Sequence, residues 1–402
     1  MSFKYKTKPY KHQEEALLKS FNRKNYAYFM EMGCGKSKVL IDNITWLYEN
    51  KHIDTAIIIA PKGVYMNWKN SEIPSHLPDD VPHKMYIWKS NANKSEKIIL
   101  EEGVRSRVIL RILLVNVEAF ATAKVKKYLQ AFIHRSNFLL AVDESTTIKN
   151  IKAKRTKEIL KLGQSAKYKR ILTGSPITQS PMDLYSQCYF LDKDLLGFDS
   201  YWSFQGRYAI IRQTRIGNHS FQQIVGFRNL SELTDKLHRF SYRVTKEQAL
   251  DLPEKIYTTR EVNLTSDQIK HYNSMKDSAV ALLDGGDMVT APEVMTRLLR
   301  LQQLLCGYLV TDDGETVEIA NHRIDAMLDT IEEMDGKVII WSRFRHDIKK
   351  IRKALEKDYG SGTVVTYYGD TSQEDRDKAI DRFQNDEGTK FFVGNAQTAG
   401  RG

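Results

Sequence analysis

Short apolar runs, rich in β-branched residues and bounded by turn residues, recur along the first half of the chain. They are DTAIIIA (54–60), VILRILLVNV (108–117), FLLAV (138–142) and RILT (170–173). Such runs are typical of strands that are buried on both faces of a parallel sheet. Because helical stretches separate them, the pattern predicts a doubly wound α/β sheet, whose ligand site lies beyond the carboxyl ends of the strands.

A second α/β unit is predicted near the end of the chain. Its strand runs are KVIIW (337–341), TVVTYYG (363–369) and KFFVG (390–394), with helical stretches after the first two. This unit has about 80 residues, fewer than the roughly 100 to 150 of a typical domain. We therefore expect the second unit to be incomplete.

Between these units the pattern changes twice. From about 191 to 240 the strand signal fades, and aromatic and basic residues mix in an inserted element that is either helical or a hairpin. From 264 to 309 apolar residues recur at helical spacing, which predicts linking helices. The predicted organisation is a first lobe over 1–245 with the insertion, a linker and helical bridge over 246–320, and a partial second lobe over 321–402.

A glycine-rich turn, EMGCGKS, joins an apolar run to a helical pattern. Gly33 and Gly35 let consecutive backbone N–H groups point at one anion, and the helix that follows adds its positive dipole end. In such a phosphate cradle Lys36 reaches the β- and γ-phosphates of a nucleotide, and Ser37 holds the accompanying Mg²⁺. Met30 stands where the full motif opens with glycine, so an ordinary glycine-rich turn is the alternative.

Polar residues follow two of the strand runs. Asp143 and Glu144 come directly after FLLAV, and Gly174 and Ser175 come directly after RILT. In a sheet with a phosphate cradle, a carboxylate pair at a strand end suits metal binding by Asp143 and activation of the attacking water by Glu144. The alternative is a structural one, because Asp-Glu-Ser-Thr is also a good helix N-cap.

Composition narrows the class of protein. Apolar residues make up 41% of the chain, yet no stretch approaches the ~20 uninterrupted apolar residues of a membrane span. The amino terminus lacks a signal-peptide core, so we expect a cytoplasmic protein with no membrane contact. Cys34, Cys188 and Cys306 lie far apart without paired spacing, which favours neither a disulfide framework nor a zinc site.

The net charge of +11 is unevenly distributed. Residues 1–250 carry 41 Lys and Arg against 23 Asp and Glu, a net charge of +18, whereas 251–402 carry 20 against 27, a net charge of −7. A basic half is compatible with a polyanion such as nucleic acid, whose binding weakens steeply with salt. A solvated basic surface explains the same charges.

In order, these blocks resemble those of superfamily-two helicase ATPases, and within them the Swi/Snf-type translocases, over almost the whole chain. The matching first-lobe blocks are TKPYKHQEEAL, EMGCGKS, IIIAPKGVYMNWKNSEI, DESTTIKN and LTGSPITQSPMDLYSQCYFLD. A bridge block and three second-lobe blocks follow: YRVTKEQALDLPEK, IIWSRF, YYGDTSQEDRDKAIDRF and VGNAQTAGRG. The cradle is similar to the family's EMGLGKT, which also lacks the opening glycine, so the departure at Met30 loses its weight.

The resemblance implies two RecA-like lobes, ATP and Mg²⁺ as cofactors, and double-stranded DNA as the partner. It implies that Lys36, Asp143 and Glu144 are the catalytic residues, and that Ser37 and Asp143 hold the metal. Gln13 reads the adenine base and completes a nucleotide-binding set with Gly33, Cys34, Gly35, Lys36 and Ser37. Thr173, Gly174 and Ser175 couple hydrolysis to domain movement, and Gln397, Thr398 and Gly400 belong to a second-lobe or nucleic-acid block.

Two departures from the family pattern affect this expectation. Thr146 replaces the histidine of the DEAH-type box, which puts the usual coupling contact in doubt. The block that carries the second-lobe arginine finger is expected after Gly402, so the chain is predicted to be truncated before the last helicase motif. An arginine finger contributes ~10³ or more to the rate of phosphoryl transfer.

Three functions are compatible with these residues. The first is an ATP-driven motor that moves along duplex DNA or remodels it. The second is a DNA-binding or scaffolding protein whose ATPase is idle because the block with the arginine finger is missing. The third is a P-loop kinase or simple ATPase, which the ordered second-lobe blocks and the basic first half disfavour.

Two stretches are candidates for nucleic-acid contacts. The basic stretch 149–161, KNIKAKRTKEILK, is one, although a solvated helix also accounts for its charges. The aromatic and basic insertion is the other, although small insertions often use aromatic residues as their own core. For the insertion we favour a core role.

Overall fold

The computed structural model describes most of the chain, namely residues 3–106, 109–216, 219–284, 291–311 and 314–400. Parts of the predicted runs 108–117 and 264–309 lie outside the described residues, as do Arg401 and Gly402. Contacts divide the chain into two compact units, Met1–Pro253 and Glu254–Gly402. No described helix is long and apolar enough to cross a membrane.

The first unit contains nine described strands. They are β1 (Asn25–Met30), β2 (Thr55–Ala60), β3 (His83–Ile87), β4 (Leu110–Asn116), β5 (Phe138–Asp143), β6 (Tyr168–Leu172), β7 (Ala209–Ile216), β8 (His219–Phe227) and β9 (Ser241–Val244). Seven of them form one sheet in the order β3-β4-β2-β5-β6-β1-β9, and every pair in it is parallel. The predicted α/β fold class is confirmed.

Helices cover both faces of this sheet. The α-helices are α1 (Lys11–Ser20), α2 (Lys36–Glu49), α3 (Tyr65–Asn67), α4 (Ile73–His76), α5 (Lys94–Arg105), α6 (Ala123–Ile133), α7 (Lys154–Gly163), α8 (Asp183–Leu191), α9 (Tyr201–Tyr208), α10 (Leu230–His238) and α11 (Lys246–Ala249). Shorter segments are 3₁₀-helical at Val117–Ala121 and Ser145–Ile148, and π-helical at Trp68–Glu72.

The apolar runs of the sequence fill two cores, one on each face of the sheet. In β2, Ile57 and Ile59 belong to one core, whereas Ala56 and Ile58 belong to the other. This follows from the alternation of side chains along a strand. Each fully buried isoleucine contributes about 1.5 to 3 kcal/mol through the hydrophobic effect, so continuous apolar runs fix these strands at the centre of the sheet.

A buried arginine fixes one corner of the sheet. Arg170 in β6 is fully buried. Its guanidinium donates to main-chain oxygens around the α1–β1 turn and to a side-chain amide of α2: Ser20 O at 3.0 Å, Arg23 O at 2.8 Å, Lys24 O at 3.1 Å and Asn43 Oδ1 at 3.0 Å. One side chain therefore satisfies oxygens from three elements.

The predicted insertion contains both helices and a hairpin. Strands β7 and β8 pair antiparallel with each other between α9 and α10. The core of the insertion includes Phe204 and Tyr208, which are fully buried, in line with the favoured core role. Trp202 and Phe221 are exceptions, because both are exposed.

The basic stretch 149–161 begins before α7 and continues along it. Thr156 and Ile159 are buried on one face of the helix, while Lys154, Lys157 and Lys161 are exposed on the other. This amphipathic arrangement is that of an ordinary surface helix. A nucleic-acid contact by the stretch stays a prediction.

The second unit has its own smaller sheet. Its strands are β10 (Tyr308–Val310), β11 (Thr316–Glu318), β12 (Val338–Trp341), β13 (Val364–Tyr367) and β14 (Phe391–Gly394), and its helices are α12 (Ser266–Asp284), α13 (Ala291–Leu305), α14 (Arg323–Glu332), α15 (Arg345–Tyr359), α16 (Gln373–Asn385) and α17 (Ala396–Ala399). Strands β12, β14 and β13 form a parallel sheet in that order, and β10 and β11 form a hairpin. The core of this unit contains Ile348, Leu355, Phe391 and Val393.

Candidate nucleotide site

The glycine-rich turn lies at the carboxyl end of β1, directly before α2. Gly33 and Gly35 have φ of +81° and +78°, the left-handed region that favours glycine. Gly35 is the N-cap of α2, no described side chain caps the first N–H groups of that helix, and its first turn contains no acidic residue. These amide groups and the helix dipole form a site suited to an anion.

Two polar side chains at the start of α2 lie at this cradle. The ammonium of Lys36 donates to the main-chain oxygen of Glu31 at 3.4 Å, so its side chain lies across the turn. The hydroxyl of Ser37 lies near the carboxylate of Glu72. Burial raises the pKa of that carboxyl group, and the Ser37 hydroxyl opposes the rise. Between the two glycines Cys34 is buried, and burial raises the pKa of its thiol, which therefore stays protonated.

Helix α1 brings two side chains against the cradle. The side-chain amide of Gln13 donates to the main-chain oxygen of Cys34 at 3.3 Å, and a ring nitrogen of His12 bonds with the same oxygen at 2.9 Å. The side-chain oxygen of Gln13, Oε1, accepts from the main-chain N–H of Tyr10 at 3.0 Å. A Cβ added at Gly35 would collide with the amide nitrogen of Gln13. The predicted base-reading residue thus touches the predicted phosphate cradle.

The carboxylate pair lies at the carboxyl end of β5. Asp143 is buried and accepts from the indole N–H of Trp68 at 2.9 Å and from the main-chain N–H of Glu144 at 3.0 Å. Burial, together with the charge of Glu144, raises the pKa of Asp143 to about 6, while the bond from Trp68 and the charge of Lys36 oppose the rise. A nearby divalent cation would favour the ionised form of this carboxyl group.

Glu144 has an unusual main-chain conformation. Its φ is +47°, a left-handed value that few residues other than glycine adopt. Such conformations cluster at functional sites, where the surrounding structure enforces them. Here Glu144 precedes a 3₁₀ turn, Ser145–Ile148, and its side chain does not cap that turn. The structure does not support the alternative that the acidic pair merely caps a helix.

The residues after β6 connect the carboxylate to the cradle. The hydroxyl of Thr173 donates to the carboxylate of Glu144 at 3.2 Å and accepts from the main-chain N–H of Ser175 at 3.3 Å. A Cβ added at Gly174 would lie 3.2 Å from the main-chain nitrogen of Met32, so this residue packs on the cradle itself. The segment predicted to couple hydrolysis to movement contacts both parts of the site.

Two residues at the site were not predicted from the sequence. Glu72 lies near Ser37, and Trp68, four residues earlier in the same π-helical segment, donates to Asp143. Such segments are frequent at functional sites. Lys246, after β9, donates its main-chain N–H to the carboxylate of Glu31 at 2.8 Å. Its Cε lies 3.4 Å from the position of a Cβ added at Gly33, which places a second lysine beside the cradle.

The position of Lys246 depends on β9, a strand that the sequence does not predict. From the sequence, YRVTKEQALDLPEK is assigned to a bridge, and the first lobe ends at 245. Tyr242 and Val244 pair with β1 at the edge of the large sheet, within the predicted first lobe. The division into lobes and bridge stays a prediction.

A cleft of about 980 Å³ opens beside the base-reading end of the site. It runs between α1 and β9, and Tyr10 and His12 line it close to Gln13, whereas the cradle glycines do not. Five of its lining residues are lysines or arginines, namely Lys11, Lys19, Arg23, Arg239 and Arg243.

The predicted second-lobe residues lie after β14, at the carboxyl end of the smaller sheet. Gln397 and Thr398 are in α17, whose N-cap Asn395 accepts from the main-chain N–H of Gln397. The main-chain N–H of Gly400 donates to Ala396 O at 3.0 Å, and a Cβ at Gly400 would collide with that oxygen. A role for these residues in nucleic-acid binding stays a prediction.

The described residues include no group of three or more His, Cys, Asp and Glu that could hold a metal ion. Mg²⁺ commonly binds through one or two carboxylates together with substrate phosphates and water. Asp143, which is buried and has Lys36 close enough to affect its pKa, fits that mode.

Comparison with known families matches two family models to successive parts of the chain. Residues 19–308 match the model described as SNF2-related domain, and residues 322–402 match the model described as helicase conserved C-terminal domain. The chain belongs to the SNF2-related domain family. The predicted resemblance is thereby confirmed, and the first match covers every residue of the nucleotide site except those in α1 before residue 19.

Relatives of this SNF2-related chain are distant and longer. It is 24% identical over 360 residues to the "Uncharacterized ATP-dependent helicase MG018" of Mycoplasma genitalium, covering 88% of this chain and 31% of that protein. It is 23% identical over 378 residues to the human "DNA annealing helicase and endonuclease ZRANB3", covering 92% and 32% respectively. The chain thus spans about a third of the length of these relatives.

Solved structures include a similar SNF2 core. The "Sulfolobus solfataricus SWI2/SNF2 ATPase core in complex with dsDNA" is 23% identical, with a TM-score of 0.49, and the match covers 98% of this chain and 79% of that one.

Proposed function

We propose that this chain is an ATP-driven motor that acts on duplex DNA and couples ATP hydrolysis to movement along it. The observation that carries the proposal is that the anion cradle, the buried Asp143 and the hydrogen bond from Thr173 to Glu144 all lie at the carboxyl ends of neighbouring strands of the sheet. Membership of the SNF2-related family supports it, since relatives of the chain include an ATP-dependent helicase by name.

In this proposal the cradle binds the nucleotide phosphates. The main-chain N–H groups from Gly33 to Ser37 donate to phosphate oxygens, and Lys36 leaves its bond to Glu31 to reach the β- and γ-phosphates. Lys246 adds a second positive charge on the same side of the turn. Gln13 lies against the cradle and contacts the base.

The carboxylates then have separate roles. Asp143 and Ser37 hold Mg²⁺, which neutralises charge on the phosphates when it is bound. Glu144 accepts the proton of the attacking water. Thr173 donates to Glu144, so a change at the carboxylate alters the contacts of Thr173 and of Gly174, the latter being packed on the cradle. This contact is our candidate for the link between hydrolysis and movement.

The choice of duplex DNA as the track rests on charge and on the curated relatives. The first 250 residues have a net charge of +18, as expected for a protein whose main contacts are to phosphates. The human relative is named a DNA annealing helicase. Phosphate contacts of this kind would carry little sequence preference.

A direct titration of MgATP tests the nucleotide site. Lys36→Ala is expected to weaken nucleotide binding by about tenfold or more, because it removes a charge-assisted contact to phosphate. Lys193→Ala, which removes an exposed lysine elsewhere in the first unit, is the matched control and is expected to bind like the parent. Equal affinity of all three proteins would remove the cradle from the proposal.

A further inference from the structure

The hairpin β7–β8 is packed on the core of the first unit at its base, through Ala209, Ile224 and Phe227, and most of its residues beyond that base are exposed. It pairs with no other described strand. Arg212 and Gln213 are neighbours on opposite faces, and both are exposed. Across the ladder, Phe221 pairs with Thr214 and is 43% exposed. A two-stranded hairpin gains little stability of its own, so the exposed apolar residues of its outer part call for an explanation.

The charge of this region is of one sign. Residues 200–231 contain four arginines, Arg207, Arg212, Arg215 and Arg228, and no aspartate or glutamate. Arg207 pairs with Glu232, just outside the stretch, and Arg228 donates to main-chain oxygens at the base of the hairpin. Arg212 and Arg215 lie further along the ribbon and are exposed. The exposed part of the hairpin therefore contributes positive charge and no negative charge, which suits a polyanion.

Because side chains alternate between the two faces of a strand, Arg212 and Arg215 lie on opposite faces of β7. Three positions separate Arg212 from Arg215 in an unbroken ladder, so they project from opposite faces of the ribbon. Phe221 pairs with Thr214 and therefore lies on the face of Arg212. The major groove of B-DNA admits a two-stranded ribbon and is bordered by a phosphate strand on each side. Opposite-facing arginines can reach one phosphate strand each.

Aromatic residues at the base of the insertion are divided between core and surface. Phe204 and Tyr208 are buried in the core of the first unit, so the residues directly before the hairpin are anchored in that core. Trp202, in the same helix, is 63% exposed, and the ammonium of Lys152 lies 5.5 Å from its ring centroid. The exposed aromatic and basic side chains thus continue from the hairpin side of α9 towards the basic stretch before α7.

We propose that the hairpin β7–β8 is a DNA-contacting element that lies in the groove of a duplex. Arg212 and Arg215 bind phosphates on the two strands, and Phe221, on the face of Arg212, makes apolar contact with the sugars of the same strand. This inference rests on the proposed action on duplex DNA, and it names a surface that lies outside the nucleotide site. An acidic protein is the other partner that these arginines fit, and a hairpin variant that binds duplex DNA like the control would favour it over DNA.

The test is binding of a labelled DNA duplex by the full chain at a series of salt concentrations. Arg212→Gln with Arg215→Gln removes two phosphate contacts, so the slope of log K against log salt is expected to fall by about 2. Phe221→Ala is expected to weaken binding about fivefold without changing the slope, because an apolar contact releases no counterions. These side chains are exposed, so nucleotide binding is expected to stay at the parent level and serves as the check on folding.

The matched control is Lys51→Gln with Arg135→Gln. It removes two exposed charges from turns that precede β2 and β5, at the amino ends of these strands and so at the opposite end of the sheet from the cradle. If the parent binds duplex and the hairpin variant keeps the slope of this control, the inference about the hairpin is overturned while the proposed function stands. If the parent itself binds no duplex at low salt, the proposed function fails, and the inference fails with it.

Discussion

At the scale of single residues, the site holds the carboxyl group of Asp143 in a buried environment that disfavours its ionised form. Asp143 is buried, and its pKa is raised from 3.8 to about 6, chiefly by burial. Because the folded-state pKa is above the unfolded one, the protonated form favours folding below about pH 4, and this contribution is lost as the pH rises through about 6. Binding of Mg²⁺ there would offset the cost of the charge.

This electrostatic cost gives a pH-dependent prediction for the nucleotide-free protein. Between pH 4 and pH 8 the parent is expected to lose about 2 kcal/mol of unfolding free energy as Asp143 ionises. Asp143→Asn is not expected to show this loss, because Asn has no charge to bury. If the substitution weakens the hydrogen bond from the main-chain N–H of Glu144, it lowers the unfolding free energy equally at both pH values and does not affect the difference. Urea unfolding at the two pH values measures the difference, and a difference of zero would contradict the raised pKa.

Glu144 gives a prediction on turnover alone. Glu144→Gln keeps the size of the side chain and an oxygen that can accept from Thr173, but it cannot take a proton from water. Nucleotide affinity is expected to be unchanged, and any ATP hydrolysis is expected to fall at least about 100-fold. Glu118→Gln, at an exposed glutamate in the same unit, serves as control. Hydrolysis at the parent rate by the Glu144→Gln variant would exclude this role.

At the scale of elements, Arg170 joins β6 to the α1–β1 turn and α2. Arg170→Met is expected to lower the unfolding free energy by about 3 kcal/mol or more, because it leaves several buried oxygens without a donor. Lys167→Met, at an exposed lysine before the same strand, is expected to change it by less than about 1 kcal/mol. Denaturant unfolding compares them, and equal stability would mean that these bonds contribute little.

The elements also show what the sequence could and could not predict. The continuous apolar runs of β2, β4 and β5 predicted their strands, because burial on both faces requires such runs. Strands β3 and β9 were missed, since HKMYI and SYRV both mix polar with apolar residues. They lie at the two edges of the sheet, where one side has no neighbouring strand and less burial is required.

In the nucleotide site, too, only the residues with a local sequence signature were predicted. Lys36, Asp143 and Glu144 were predicted because cradle and strand-end carboxylates have local signatures, and the structure brings them together. Glu72 and Lys246 lack such signatures, since their positions depend on a π-helical turn and on the pairing of β9 with β1. Contacts that arise only from the tertiary fold leave no local pattern to read.

At the scale of the whole molecule, the basic charge and the nucleotide site belong to the same half of the chain. Residues 1–250, with their net charge of +18, contain the site that hydrolyses ATP in our proposal. If the two are linked, a polyanion bound to this half changes the rate of hydrolysis. A protein that only binds DNA, with an idle ATPase, would show no such link.

The most direct test is the rate of ATP hydrolysis by this chain at low salt, alone and with duplex DNA, single-stranded DNA or RNA. We expect duplex DNA to raise the rate several-fold, and the increase to fall with salt and to vanish in Glu144→Gln. Unchanged hydrolysis with all three nucleic acids, or nucleotide binding without any turnover, would contradict a DNA-driven motor.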